Sequence, residues 1–177
     1  MKSLTLIIVS LSIHFVHAQK FTTEKSLIVF YSDASIEDIK AENHQSMSIF
    51  DTSTGQIAFS IPIKEFQFEK SLMKEHFNEK YLESEKYPKS TFQGRVEGYQ
   101  STLKGQQPVT AIGKLTIHGV TRDVEISGTL EWRDNKIVAN SSFKVRLEDY
   151  KIKVPQLLWQ NIAEEVEVTI DFTYKPL

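Results

Sequence analysis

The chain of 177 residues contains no cysteine. That one absence excludes disulfides, thiolate metal ligands, thiol catalysis and a lipid-modified cysteine. A domain of this length does not depend on cross-links, because its core can be large enough without them. Glycine (7 residues) and proline (5 residues) are scarce as well, so no flexible or proline-rich linker divides the chain. Nor does one sign of charge dominate. The 21 basic and 23 acidic side chains leave a formal net charge of −2, which argues against nucleic acid as a partner. Beyond the first residues, no apolar run approaches the length of a membrane-spanning helix.

The one long apolar run stands at the very start. In MKSLTLIIVSLSIHFVHAQ, Lys2 precedes an apolar stretch from Leu4 to Val16, and Val16-His17-Ala18 supplies a small-residue cleavage pattern. This is the build of a secretory signal peptide. The expected organisation is a leader over residues 1–18 and a single folded domain over 19–177, exported to the periplasm or the medium.

Within that domain, eight segments read as strands: 26–32, 45–51, 56–63, 90–98, 109–117, 124–132, 137–147 and 164–174. The last is the clearest. In EEVEVTIDFTY, Val166, Val168, Ile170, Phe172 and Tyr174 share one face, while Glu165, Glu167, Thr169, Asp171 and Thr173 share the other. Such alternation marks antiparallel strands with one solvated side. One helical stretch interrupts them, where Met73, Phe77 and Tyr81 recur every four residues before Pro88. Its narrow apolar stripe suits a helix laid across the sheet or plugging one end of it. One helix is too little cover for eight strands. Closing the sheet into a barrel hides the apolar face and removes the edges together.

The same alternation selects an inner face. It carries Ile28 and Phe30, then Phe59 and Ile61, then Phe92 and Gly94, then Gly113 and Leu115. It continues through Ile126 and Gly128, then Ser141, Phe143 and Val145, and ends with Val168, Ile170 and Phe172. A tight turn around Val120-Thr121 would set Ile117 opposite Val124, Leu115 opposite Ile126 and Gly113 opposite Gly128. A second turn at Asp134-Asn135 would set Trp132 opposite Ile137, Leu130 opposite Ala139 and Gly128 opposite Ser141, with Ile126–Phe143 and Val124–Val145 as further rows. Glycines on the buried face of strands pack nothing and weaken them. Three causes fit: bends where the barrel coils, large side chains filling the space from opposite, or room for an apolar ligand.

The order of SLIVFYSDA, the DTSTG turn, AFSIPIKEFQF, KYPKSTF, GKLTIHGVTRDVEISGTL and FKVRLEDYKIKVP resembles the YceI-like family of exported bacterial lipid and polyisoprenoid binders. The resemblance spans roughly Phe21 to Tyr174. It implies an all-β, eight-stranded antiparallel, lipocalin-like barrel with one short helix. Its apolar interior would take an isoprenoid, isoprenoid quinone or fatty chain, with the polar head near one mouth. It transfers the cavity face but no catalytic motif and no cofactor. The other reading of the residues is a filled barrel that serves as a protein-interaction module.

Catalysis has no support in the pattern. No G-x-S-x-G elbow, P-loop or pocketed carboxylate pair occurs, and the inner face offers only Ser26, Ser32 and Ser141 as polar groups. His76 with Glu79 could begin a metal site, but nothing pairs with them, so no metal is expected and the helix face reads as solvated. His118 reads as an exposed residue flanking a turn. The segment KIKVPQLLWQNIAEE carries Leu157, Leu158 and Trp159 outside any strand pattern. These residues either cap the barrel or form a lid that meets a membrane transiently as the lipid enters. The signal peptide yields the first test: amino-terminal sequencing of the protein from its own host should begin at Gln19, whereas a chain beginning at Met1 would refute cleavage.

Overall fold

In the computed structural model the alternating segments become the staves of a barrel. Residues 20–33, 38–100, 103, 105–153 and 163–177 are described. The expected leader, and the segment carrying Leu157, Leu158 and Trp159, lie outside the described residues. The strands are β1 (Lys20–Ser32), β2 (Ile39–Asn43), β3 (Met47–Asp51), β4 (Gln56–Pro62), β5 (Gln67–Phe68), β6 (Lys89–Glu97), β7 (Gly105–Ile117), β8 (Val120–Arg133), β9 (Lys136–Arg146) and β10 (Glu165–Pro176). Helix α1 (Ser71–His76) runs directly into a single π-helical stretch at Phe77–Tyr81.

The wall follows the order β10-β9-β8-β7-β6-β4-β3-β1, and β1 returns to pair with β10, closing eight antiparallel strands into a ring. Two short strands missing from the sequence reading extend it at one end. β2 pairs with the far half of β1, and β5 pairs with β2. β2 and β3 are one stave broken by a buried Asn43. Its Oδ1 accepts from the Gln45 N–H at 2.9 Å and from the Ser46 hydroxyl at 3.0 Å, and its Nδ2 donates to the Pro62 carbonyl at 2.8 Å. An asparagine that caps its own backbone this way offers the chain a turn in place of the ladder. The DTSTG turn is held likewise: the Asp51 carboxylate accepts from the Ser53 hydroxyl and N–H and from the Thr54 N–H. These bonds, the Ser53 hydroxyl first, keep the Asp51 carboxyl below the usual carboxylate range.

The two hairpins at the heart of the sequence differ in how far they match the expected register. Asp134 and Asn135 make the β8–β9 turn, both with positive φ, and Gly128↔Ser141, Leu130↔Ala139 and Trp132↔Ile137 pair as expected. The β7–β8 turn does not lie at Val120-Thr121. It is the two-residue turn His118-Gly119, with φ of 50° and 72°, and Ile117 pairs with Val120. A two-residue hairpin of this twist needs positive φ at both central positions, which His-Gly provides and two β-branched residues would not. The register slips accordingly: Gly113 faces Val124, Ala111 faces Ile126 and Val109 faces Gly128. The rows Ile126–Phe143 and Val124–Val145 do not form, because β8 and β9 stop pairing at Gly128↔Ser141.

One end of the barrel is filled with aromatic side chains. Phe21 meets Trp132 edge-on at 5.6 Å, Phe50 meets Tyr99 at 5.8 Å, and Phe172 lies against Phe59 at 5.1 Å and Tyr174 at 6.0 Å. Tyr174 is wholly buried, and its hydroxyl donates to Ser48 Oγ at 2.8 Å. Burial pushes the Tyr174 phenol far above the ordinary tyrosine value. In the unfolded chain the same phenol ionises near its ordinary value of about 10. The unfolded state therefore loses the proton first, and stability should be retained below about pH 10 and fall as pH rises beyond it. Denaturant unfolding between pH 8 and 11 should show that loss, with a shallower slope in Tyr174→Phe; identical slopes would refute it.

Candidate functional site

Toward the opposite end the barrel is hollow. A cavity of about 590 Å³ runs between the sheet and the helical segment, well inside the ~300–1,000 Å³ usual for small-molecule sites. Its lining is almost wholly apolar. α1 and the π-helical stretch cover it with Leu72, Met73, Phe77 and Tyr81, so the stripe spaced every four residues is the inner surface of a cap. Phe77 stacks on Phe30 at 5.4 Å and 12°, and Phe66 and Phe68 pack around both. Phe66, which follows the 3-10 turn Ile63–Glu65, and Phe68, in the two-residue β5, lie outside any long alternating strand, so alternation does not select them.

Of the inner-face residues chosen from alternation, Ile28, Phe30, Phe59, Ile61, Phe92, Leu115, Ile126, Gly128, Ser141, Phe143, Val145, Val168 and Ile170 line the cavity. Three do not. Phe172 belongs to the filled end, with no exposed surface. Gly94 and Gly113 pair with each other across β6 and β7, and their backbones approach too closely for side chains. A Cβ on Gly113 would lie 2.3 Å from the Gln93 carbonyl oxygen, and one on Gly94 2.3 Å from that of Ile112. Gly128 is similar, since its Cβ would fall 2.7 Å from the Asn140 carbonyl oxygen. The glycines therefore serve the close approach of neighbouring strands. Small and medium side chains such as Ala111, Val109 and Ala139 line the hollow beside its phenylalanines and leave it room.

The serines of the inner face are engaged. Ser26 Oγ donates to the His44 carbonyl at 3.0 Å, Ser141 Oγ to the Ser127 carbonyl at 2.6 Å, and Ser32 Oγ accepts from the Ala163 N–H at 2.9 Å. Among the described residues, basic groups enter the lining only at the cap, with Lys70 just before α1 and His76 within it. His76 is thus half-buried against the cavity and not simply solvated. Among the described residues, no group of three or more His, Cys, Asp or Glu could hold a metal ion.

His118 also departs from its expected exposure. Only 11% of its side chain is accessible, Nε2 lies 2.6 Å from Glu83 Oε2, and Nδ1 lies 3.2 Å from the Tyr150 carbonyl oxygen. The Tyr87 ring meets the imidazole edge-on at 4.6 Å and sits where any Cβ on Gly119 would be. One histidine thereby ties the β7–β8 turn to the segment after the helical cap and to the short 3-10 turn Leu147–Tyr150 after β9. Sequence spacing gives no sign of this, because its partners lie 32 and 35 residues away.

Comparison with known proteins gives the same architecture. The sequence model of the YceI-like domain matches residues 15–174. A polyisoprenoid-binding domain from Saccharophagus degradans superposes with a TM-score of 0.76 at 14% identity, covering 89% of this chain and 98% of its own. BcnA of Burkholderia cenocepacia gives 0.71 at 14% identity over 84% and 95% of the two chains. The Campylobacter jejuni YceI protein gives 0.55 at 17% identity over 98% and 97%. A search of curated proteins returned no significant match.

Two neighbouring positions on β7 separate the glycine contacts from the hollow. Ala111→Leu projects into the cavity, so it should hold or raise stability, by up to about 2 kcal/mol, while reducing uptake of an apolar chain. Gly113→Ala should lower stability by about 3 kcal/mol through overpacking against backbone. Urea unfolding of both variants checks this, and equal midpoints would contradict the assignment.

Proposed function

The chain belongs to the YceI-like domain family, and on that footing we propose that it is an exported carrier of a long-chain amphiphile whose apolar tail lies in the barrel cavity. The observation that carries this reading is the space of about 590 Å³ inside the barrel with its apolar lining. A tail of the isoprenoid, isoprenoid quinone or fatty type needs no polar recognition along its length. Each buried methylene contributes about 0.8 kcal/mol, against which the ordering of the chain is set. The polar head belongs at the capped end, where Lys70 and His76 join the lining. The neighbour from Saccharophagus degradans is a polyisoprenoid-binding domain, which favours the isoprenoid class. Export through residues 1–18 is part of the proposal, and release of cargo at a membrane accords with the apolar Leu157, Leu158 and Trp159. The hollow favours a carrier over a filled interaction module.

Native mass spectrometry of the protein from its own host, followed by organic extraction, should reveal an added mass that partitions as a lipid. In a homologous series of n-alkyl amphiphiles, affinity should rise about fourfold per methylene and level off once the cavity is full. A protein that carries nothing and shows no dependence on chain length would overturn the reading.

A further inference from the structure

The barrel wall has a slot in it. β8 and β9 share a ladder only from Gly128↔Ser141 to Arg133↔Lys136. Along the rest of their length each is held only by its other neighbour: β8 stays paired with β7 as far as Val120, and β9 with β10 as far as Arg146. No described strand pairs with the facing edges of residues 120–127 and 142–146. The space between them measures about 350 Å³. At its base, Ser141 Oγ occupies the Ser127 carbonyl at 2.6 Å; at its top, Arg122 Nε donates to the Asp149 carbonyl at 3.0 Å. Four of its lining side chains, Leu115, Ile126, Phe143 and Val145, also line the main cavity. The slot and the hollow are therefore neighbours that share one wall, formed by these four side chains.

Strand edges left unpaired are a liability that folded proteins normally cover, and here the sequence is written for pairing. Continuing the register of Gly128↔Ser141 toward the top would set Ile126 against Phe143 and Val124 against Val145 inside. Outside, it would set Glu125 against Lys144 and Asp123 against Arg146. Opposite charges and apolar pairs placed directly across strands stabilise a ladder. In the open arrangement those charges have other partners: Asp123 is paired with Lys114 at 2.8 Å, and Arg146 with Glu165 at 3.2 Å. Closing exchanges those ion pairs for cross-strand ones and gives up the Lys114 and Glu165 pairings, whose side chains are both solvent-accessible at the outer face.

We infer that this slot is a lateral portal for the cargo's chain, which closes by zipping β8 to β9 in the register their paired halves already set. The inference rests on the reading of the cavity as a chain site. An amphiphile entering this way slides its tail between two strands while its head stays in water, so the helical cap does not have to lift.

The absence of native cysteine makes the test clean. Residues directly opposite in a closed ladder lie about 4.5–5.5 Å apart at Cα, a span a disulfide bridges. Glu125→Cys with Lys144→Cys should form a disulfide under mild oxidation, and uptake of 11-(dansylamino)undecanoic acid should slow at least tenfold and recover on reduction. The control pair Glu131→Cys with Val138→Cys lies in the half already joined and should cross-link with no change in rate. Failure of the first pair to cross-link while the control does, or uptake as fast in the locked form as in the reduced one, overturns the portal and leaves the chain site standing. No probe binding by the unaltered protein overturns the carrier reading itself. Should the double variant not fold, hydrogen exchange on the unaltered protein decides: the amides of residues 121–127 and 142–146 should gain protection when the probe is bound, and unchanged exchange refutes closure.

Discussion

The pairing of β1 with β10 is the interaction on which everything else stands. From Phe21↔Pro176 to Tyr31↔Glu167, the first and last strands satisfy each other's backbone and turn an open sheet into a ring. Without that seam, two long edges and a continuous apolar face would be left to water, and a single short helix could cover neither. With it, the inner face becomes an interior, and its contents become the question. The β-bulge between Thr23 and Lys25 lies within this pairing. Thr23 there both donates to the Ser48 carbonyl and accepts the Ser48 N–H, so the same residues that close the ring also anchor the neighbouring stave.

The interior divides along its length. Aromatic rings from β1, β3, β8 and β10 fill one end, and the buried Tyr174–Ser48 hydrogen bond fixes their arrangement. The other end is hollow, lined by aliphatic and phenylalanine side chains, and closed by helical and 3-10 segments that the His118–Glu83 pair ties together.

Much of this was legible from the residues. Alternation located every stave of the ring, and thirteen of the sixteen inner-face residues it selected line the cavity, because a period of two is a direct record of which way a side chain points. What it could not record is how near two backbones come. Gly94 and Gly113 sit on the inner face by parity, yet the approach of β6 to β7 leaves them no room for a side chain, and so they add none to the cavity. The His118-Gly119 turn was missed for a related reason. A left-handed histidine is uncommon, and β-branched Val120-Thr121 stood beside it as an apparent turn. The resulting slip moved Gly113 from Gly128 to Val124. His118 itself shows the limit of spacing, since a latch assembled from three separate segments leaves no local pattern. Where β8 and β9 part, the expected rows are well matched as residues and still unformed, so complementarity along a strand is not proof of a ladder.

The closing of the ring by its two ends also constrains how the protein is made. The partner of Phe21 is Pro176, so the contact that completes the fold spans almost the whole chain and is among the most expensive in loop entropy. During synthesis the local hairpins β6–β7–β8–β9 have their partners early, while the first strand waits with an exposed edge for the last one to appear. A ribosome delivering this chain from its amino terminus thus presents an open sheet with an exposed apolar face until the last strand has emerged.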